Sequence, residues 1–191
     1  MLHAHAVTTS ASSVGAVGQS PIDAAAMAAA RRADTDARGR VKSCIFCRLS
    51  QHSCTENSDY LHEHQEYLLV NDELFVVPDI KPSATHHFLV IPHEHIKNPK
   101  VLTREHIPLV KNMQKAAMAV LKEKNHGKEV TSDYRLGFHW PPLIMIKHLH
   151  MHAFYPLSSM SSFNKQLLFK PGLLFVTPEW LIERLEKIND E

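Results

Sequence analysis

Lys147-His148-Leu149-His150-Met151-His152-Ala153-Phe154 decides how this 191-residue chain is read. In a strand successive side chains alternate faces, so His148, His150 and His152 share one face while Leu149, Met151 and Ala153 share the other. The apolar face anchors the strand to a core. Three imidazoles spaced about 7 Å apart along one face cannot all be charged cheaply. A neutral imidazole near pH 7 is a nucleophile, a base or a metal ligand. Ligands at i, i+2 and i+4 on one strand spread too widely to close on a single tetrahedral zinc. Phosphoryl or nucleotidyl chemistry fits better, because imidazole attacks phosphorus and then leaves, which splits one transfer into two steps. A polar sheet face that happens to use histidine is the plainer alternative, and the strict alternation weighs against it.

Outward from that strand, composition narrows the classes. Fifteen histidines stand out in a chain that is 44% hydrophobic and 21% charged, a soluble globule with a real core. Lys plus Arg is 21 and Asp plus Glu is 20, so there is no polycationic footprint for nucleic acid. No apolar run approaches the roughly 18 residues of a membrane span. Three cysteines are too few for a secreted disulfide framework, and a reducing compartment is expected. Only Gly127, Gly137 and Gly172 lie beyond residue 40, so neither GxGxxG nor GxxxxGK[ST] can be written. The Rossmann and P-loop routes to a nucleotide are closed.

Residues 1–40 are rich in Ala, Ser, Val and Thr without periodicity, and read as a disordered tail. A transit peptide is the rival reading, disfavoured because the first thirty residues hold no Lys or Arg. Beyond it, strands are expected at Tyr67–Asn71, Leu74–Asp79, His86–Pro92, Tyr134–Trp140 and Leu143–Tyr155. Thr103 could cap a helix running to about Lys124, with Ile107, Val110, Met113, Ala117, Val120 and Leu121 as its stripe and Pro108 delaying its start. A last apolar run, Leu173–Val176, precedes a helix capped by Thr177 with Pro178 at its first position. The order favours an α+β antiparallel sheet with one long helix and a C-terminal helix. By this reading residues 41–160 are the principal domain and 161–191 an extension packed on it. Lys147 falls on the apolar face by alternation, which a bulge or a snorkelling stem would resolve.

At these residues the chain resembles the histidine-triad (HIT) superfamily, whose signature alternates histidine with apolar residues. The resemblance runs over roughly 43–156: Cys44-Ile45-Phe46-Cys47, Asp79-Ile80-Lys81-Pro82, Thr85–Pro92 with His95-Ile96, and Gly137-Phe138-His139 with Pro141-Pro142. The last element is most similar to the type 3 nucleotide-binding branch and is related to one in aprataxin-like deadenylases. The resemblance implies a HIT-like fold and a nucleotide phosphoramidase acting on adenosine 5′-monophosphoramidate and AMP-linked conjugates. His150 would be the nucleophile forming an AMP–histidine intermediate, His148 the orienting histidine, and His152 a contact to the phosphate or leaving-group side. Asp79, Ile80 and Lys81 would meet the ribose and adenine; His87, His139 and Met151 would complete the nucleotide site. No cofactor is required by this chemistry. Cys44-x-x-Cys47 is half a zinc site, and some family members complete it with the equivalents of His95 and His148, which would give a structural zinc. A homodimer or higher oligomer, a cytoplasmic and nuclear location, purine nucleotide as partner and neither membrane nor nucleic acid are the further implications. The alternatives are an aprataxin-like deadenylase and a nucleotide-binding scaffold with little turnover. The scaffold gains from Met145, which stands where many family members carry a hydroxyl; a thioether cannot donate a proton to a leaving amine. His62, His64 and His93 read as solvated, the sequence identifies no partner for Cys54, and the Trp180 helix reads as packing.

Overall fold

The computed structural model describes residues 34–36, 39–52 and 66–188; His3, His5, Cys54, His62 and His64 lie outside them. Six strands form one antiparallel sheet: β1 (Leu69–Val70), β2 (Leu74–Pro78), β3 (His86–Pro92), β4 (Arg135–His139), β5 (Met151–Tyr155) and β6 (Phe175–Val176), in the spatial order β1-β2-β3-β5-β4-β6. Among the described residues three α-helices accompany it: α1 (Ile45–His52), α2 (Ile107–Lys124) and α3 (Pro178–Glu186). The α+β architecture is the expected one.

The sheet is covered on both faces, and this is why β2 and most of β3 read as nearly unbroken apolar runs. Leu74 and Val76, Phe88 and Val90, Met151 and Ala153, Leu136 and Phe138 face one core, where they meet Val110, Met113, Ala117, Val120 and Leu121 of α2 and Leu181 and Leu185 of α3. Each Val, Leu, Met or Phe side chain among them, fully buried, contributes roughly 1.5–3 kcal/mol. Phe75, Val77, Leu89 and Ile91 alternate to the opposite face and pack on Phe46 and Leu49 of α1. A third cluster joins Phe154 of β5 to Phe169 and Phe175 from the C-terminal residues.

The expected helix begins as a 3-10 turn, Arg104–His106, and becomes α-helical only at Ile107, one residue before Pro108. A proline is tolerated there because the first-turn N–H groups have no intrahelical acceptor. Thr177 caps α3 by accepting from the Trp180 N–H, with Pro178 in the first turn. The Trp180 helix does pack: Leu181 and Leu185 are buried, and the Trp180 ring meets Trp140 edge-on at 5.2 Å.

Two local expectations fail. Part of the segment assigned to the tail is held, since Thr35 bridges Val41 and Arg40 Nε donates to Asp36 at 2.8 Å. The strand expected from Leu143 starts only at Met151. The β3–β5 register pairs Val90 with Met151, so the ladder would next engage Ile91 and then Pro92, which has no N–H to donate. The chain instead passes through a bend, with the Leu149 N–H donating to the Ile96 carbonyl at 2.6 Å. Lys147 sits in that bend and is exposed, so it needs neither bulge nor snorkelling.

β6 occupies part of the outer edge of β4, with Phe138 opposite Val176 and His139 opposite Phe175. A sheet continuing into a second copy would attach beyond β6 or at β1. Gly137 makes this close docking possible. A Cβ there would lie 2.3 Å from the Phe175 ring and 2.6 Å from the Val176 carbonyl oxygen. Gly137→Ala is expected to destabilise the fold by about 1–3 kcal/mol through overpacking. Chemical denaturation would read this as a lowered midpoint at unchanged m; an unaltered midpoint would contradict the docking of β6.

Candidate active site and candidate metal centre

The triad histidines sit where β5 begins. His152 lies in the strand between Leu89 of β3 and Gly137 of β4, while His148 and His150 come from the irregular lead-in. Alternation nevertheless survives, because Leu149 and Met151 are buried on the α2 side. Met151 therefore turns its side chain away from the histidines, and only its backbone is left to face a nucleotide.

Backbone carbonyls, which only accept, set two of the rings. His150 Nδ1 is 2.7 Å from the His148 carbonyl oxygen, so Nδ1 carries the proton and Nε2 keeps its lone pair. His148 Nε2 donates to the Pro92 carbonyl at 2.9 Å, which leaves its Nδ1 lone pair facing Cys44 and Cys47. Phe46 of α1 presses edge-on against both rings, at 5.7 Å from His148 and 5.3 Å from His150.

His152 adjoins His150 at 5.1 Å and His139 at 4.8 Å between ring centroids. His87 Nε2 is 2.9 Å from His152 Nδ1, and Asp79 Oδ2 is 3.4 Å from the same His87 nitrogen. Two buried nitrogens of this group lack partners: His152 Nε2 and His139 Nδ1. Such atoms carry a cost that a bound polar group would relieve. Burial drives every one of these imidazoles toward neutrality. His150 is pulled down to about 4 and His87 to about 3; His152 lies well below the ordinary histidine value, and His139 is lowered too. Neighbouring imidazoles add to the effect on His87, His150 and His152. Asp79 is shifted up by burial, opposed by the hydrogen bond that its carboxylate accepts from the Lys81 N–H.

A narrow cleft opens beside His150, lined by His139, Lys97, Asn98, Ile144 and Ile146. Met145, between the two isoleucines, is 95% exposed and does not line it. Ile80 is also exposed, at 86%, on the loop that follows β2, and Lys81 beside it is exposed as well. The site thus offers a nitrogen whose lone pair is free beside imidazoles that burial disfavours as cations.

Cys44, Cys47, His95 and His148 come together as well, their donor atoms all within 4.8 Å of one another. Cys44 Sγ is 3.4 Å and Cys47 Sγ 3.5 Å from His148 Nδ1, and Cys47 Sγ is 3.2 Å from His95 Nδ1. A tetrahedral zinc with ordinary bond lengths has an S–N edge of about 3.6 Å. The donor set therefore fits zinc in chemistry and in size. Cys44 is the N-terminal neighbour of α1, and its carbonyl accepts from the Arg48 N–H, so the helix start holds both thiols on one side.

Some contributors have no sequence signature. Ser83 donates its backbone N–H to His87 Nδ1, and the Pro92 carbonyl aims His148. Phe169, pinned by Arg135 Nη1 donating to its carbonyl at 2.8 Å, closes the wall behind His87, His139 and His152. His93 is not simply solvated: Ser50 Oγ meets its Nδ1 at 2.8 Å, and its Nε2 donates to the Asn71 carbonyl at 2.8 Å.

Comparison with known proteins agrees with this geometry. Residues 43–167 match the family model described as "Scavenger mRNA decapping enzyme C-term binding". The chain is 35% identical to adenosine 5′-monophosphoramidase HINT3 of Xenopus tropicalis over 146 residues, 75% of this chain and 88% of that protein. It is 35% identical to the Mus musculus protein of the same name over 145 residues, 76% of this chain and 82% of that one. Aprataxin of Danio rerio matches at 33% over 83 residues, 44% of this chain and 24% of that protein. With its three histidines converging on one face of the sheet and these matches spanning most of its described residues, the chain belongs to the histidine-triad family, among relatives that include the HINT3 proteins.

Proposed function

We propose that the protein hydrolyses adenosine 5′-monophosphoramidate and related AMP–amine conjugates to AMP and the free amine. The carrying observation is His150: its Nδ1–H is committed to the His148 carbonyl, so Nε2 keeps its lone pair on a ring that lines the cleft. In the first step Nε2 attacks the α-phosphorus, the P–N bond breaks, and the nitrogen takes up a proton and leaves as the amine. In the second step water attacks the same phosphorus, the bond to Nε2 breaks, and a water proton is returned as AMP departs. His139 and His152, whose inner nitrogens lack protein partners, suit the phosphoryl oxygens. Asp79 suits the ribose hydroxyls, and exposed Ile80 suits an adenine face. The HINT3 relatives carry this activity in their names. The aprataxin match is shorter, and the 17 basic and 17 acidic residues beyond position 40 supply no excess charge for a nucleic-acid substrate.

We also propose that Cys44, Cys47, His95 and His148 hold a structural zinc. It would tie the start of α1 to the loop after β3 and to the lead-in of β5, with no role in the bond-breaking steps.

His150→Asn is expected to lower turnover of adenosine 5′-monophosphoramidate by more than about 10³-fold, the scale of losing a nucleophile. Rapid quenching under non-acidic conditions followed by mass spectrometry should find AMP on His150 of the native protein; AMP release with no adduct would rule out the covalent route. For the metal, elemental analysis should return one zinc per chain, with Cys44→Ser and Cys47→Ser each lowering the content. A native protein purified with zinc in the medium and holding none would remove that proposal.

A further inference from the structure

His87 lies one strand away from His152 and is buried even more deeply, at 3% against 6% exposure. Its two ring nitrogens have unlike surroundings. Nδ1 faces the Ser83 backbone N–H at 3.2 Å, and an amide N–H has no lone pair to offer, so Nδ1 must accept. The neutral ring therefore carries its proton on Nε2. The neighbours of Nε2 agree: a carboxylate oxygen of Asp79 at 3.4 Å and His152 Nδ1 at 2.9 Å, both acceptors for an N–H. Two nitrogens 2.9 Å apart share one hydrogen. Because that hydrogen belongs to His87, His152 Nδ1 accepts, and the proton of His152 is displaced to Nε2. This is the nitrogen that is buried without a partner next to His150.

We propose that His87 is a positioning residue that presets His152 as an uncharged Nε2–H donor to the reacting phosphoryl group. The order of the chain is Ser83 N–H to His87, His87 N–H to His152, and His152 N–H to substrate. The rings are held against flipping by packing. His87 stacks on Phe154 at 4.2 Å, His152 lies parallel to Phe154 at 5.8 Å, and Phe169 closes on both from the side. A neutral donor suits a site whose burial penalises an imidazolium. The tautomer is a property of the free protein; its catalytic use rests on the phosphoramidase reading above.

Without His87, nothing in this arrangement compels His152 to keep its proton on Nε2. His87→Phe preserves ring packing and removes both hydrogen bonds. His87→Gln can restore them, its amide oxygen accepting from Ser83 and its NH2 donating to His152. Two-dimensional 15N–1H spectra of uniformly labelled, substrate-free protein distinguish an Nδ1–H from an Nε2–H imidazole. The native protein should show His152 as Nε2–H and His87 as Nε2–H. His87→Phe should shift His152 toward Nδ1–H and lower kcat for adenosine 5′-monophosphoramidate by about 10²-fold, the scale of one lost transition-state donor. KM should change by less than about threefold, and His87→Gln should recover most of kcat. An Nδ1–H His152 in the native spectra would overturn the proposal. So would a folded His87→Phe protein with native kcat. If native protein shows the expected tautomers but does not turn over the phosphoramidate, the preset ring stands and the substrate assignment falls.

Discussion

Pro92 is where β3 and β5 part company, and much of the site depends on it. Having no N–H, it cannot extend the ladder beyond the Val90–Met151 pair, so the chain before Met151 leaves the sheet. Its carbonyl remains an acceptor and takes the His148 Nε2–H. That one hydrogen bond turns His148 Nδ1 toward the two cysteines and fixes the residue whose own carbonyl orients His150. A regular strand would have placed the three histidines in a row. The break lets the first join the sulfur ligands, the second face the cleft and the third stay between strands. The same departure explains why a triad histidine can also belong to a four-donor cage, which three ligands along one strand could not form alone.

The electrostatics follow from coverage. Phe46 from α1 lies over His148 and His150, and Phe154, Phe169 and Phe175 lie behind His87, His139 and His152. Burial is the largest influence on His87, His139, His150 and His152 alike, and it disfavours the charged ring. Neutral rings are arranged by tautomer. Groups that only donate or only accept do the arranging: the Ser83 amide, the Pro92 carbonyl and the His148 carbonyl. Phe169 and Phe175 come from residues read as an extension, yet they share a cluster with β5, and Val176, Leu181 and Leu185 share the α2 core. The C-terminal residues thus complete both faces of the sheet, with Gly137 leaving room for Phe175.

Much of this could be read from the chain. The alternation across 148–153 announced both the site face and the buried face, because a strand has a period of two. The stripe of α2 and the Thr177-Pro178 start of α3 were legible because helices have their own period and caps. The spacing of the cysteine pair marked it as half of a ligand set, and the fold brings His95 and His148 to it. Strand boundaries were less visible: the apolar run Leu143–Ile146 looks like strand, but its would-be partner ends in a residue that cannot donate. The role of His93 was invisible because its partners, Ser50 and the Asn71 carbonyl, lie far away in sequence.

The sequence by itself determined the sheet, its two faces, the histidines available and the family they signal, since these depend on local periodicity and residue type. Tertiary structure alone decided which nitrogen of each histidine bears the proton, which ring turns to the cysteines, and that a C-terminal phenylalanine wall encloses them. Those outcomes depend on backbone donors and acceptors, and on rings contributed by distant segments. Every residue but proline carries the same amide N–H, so its direction is set only when the chain folds.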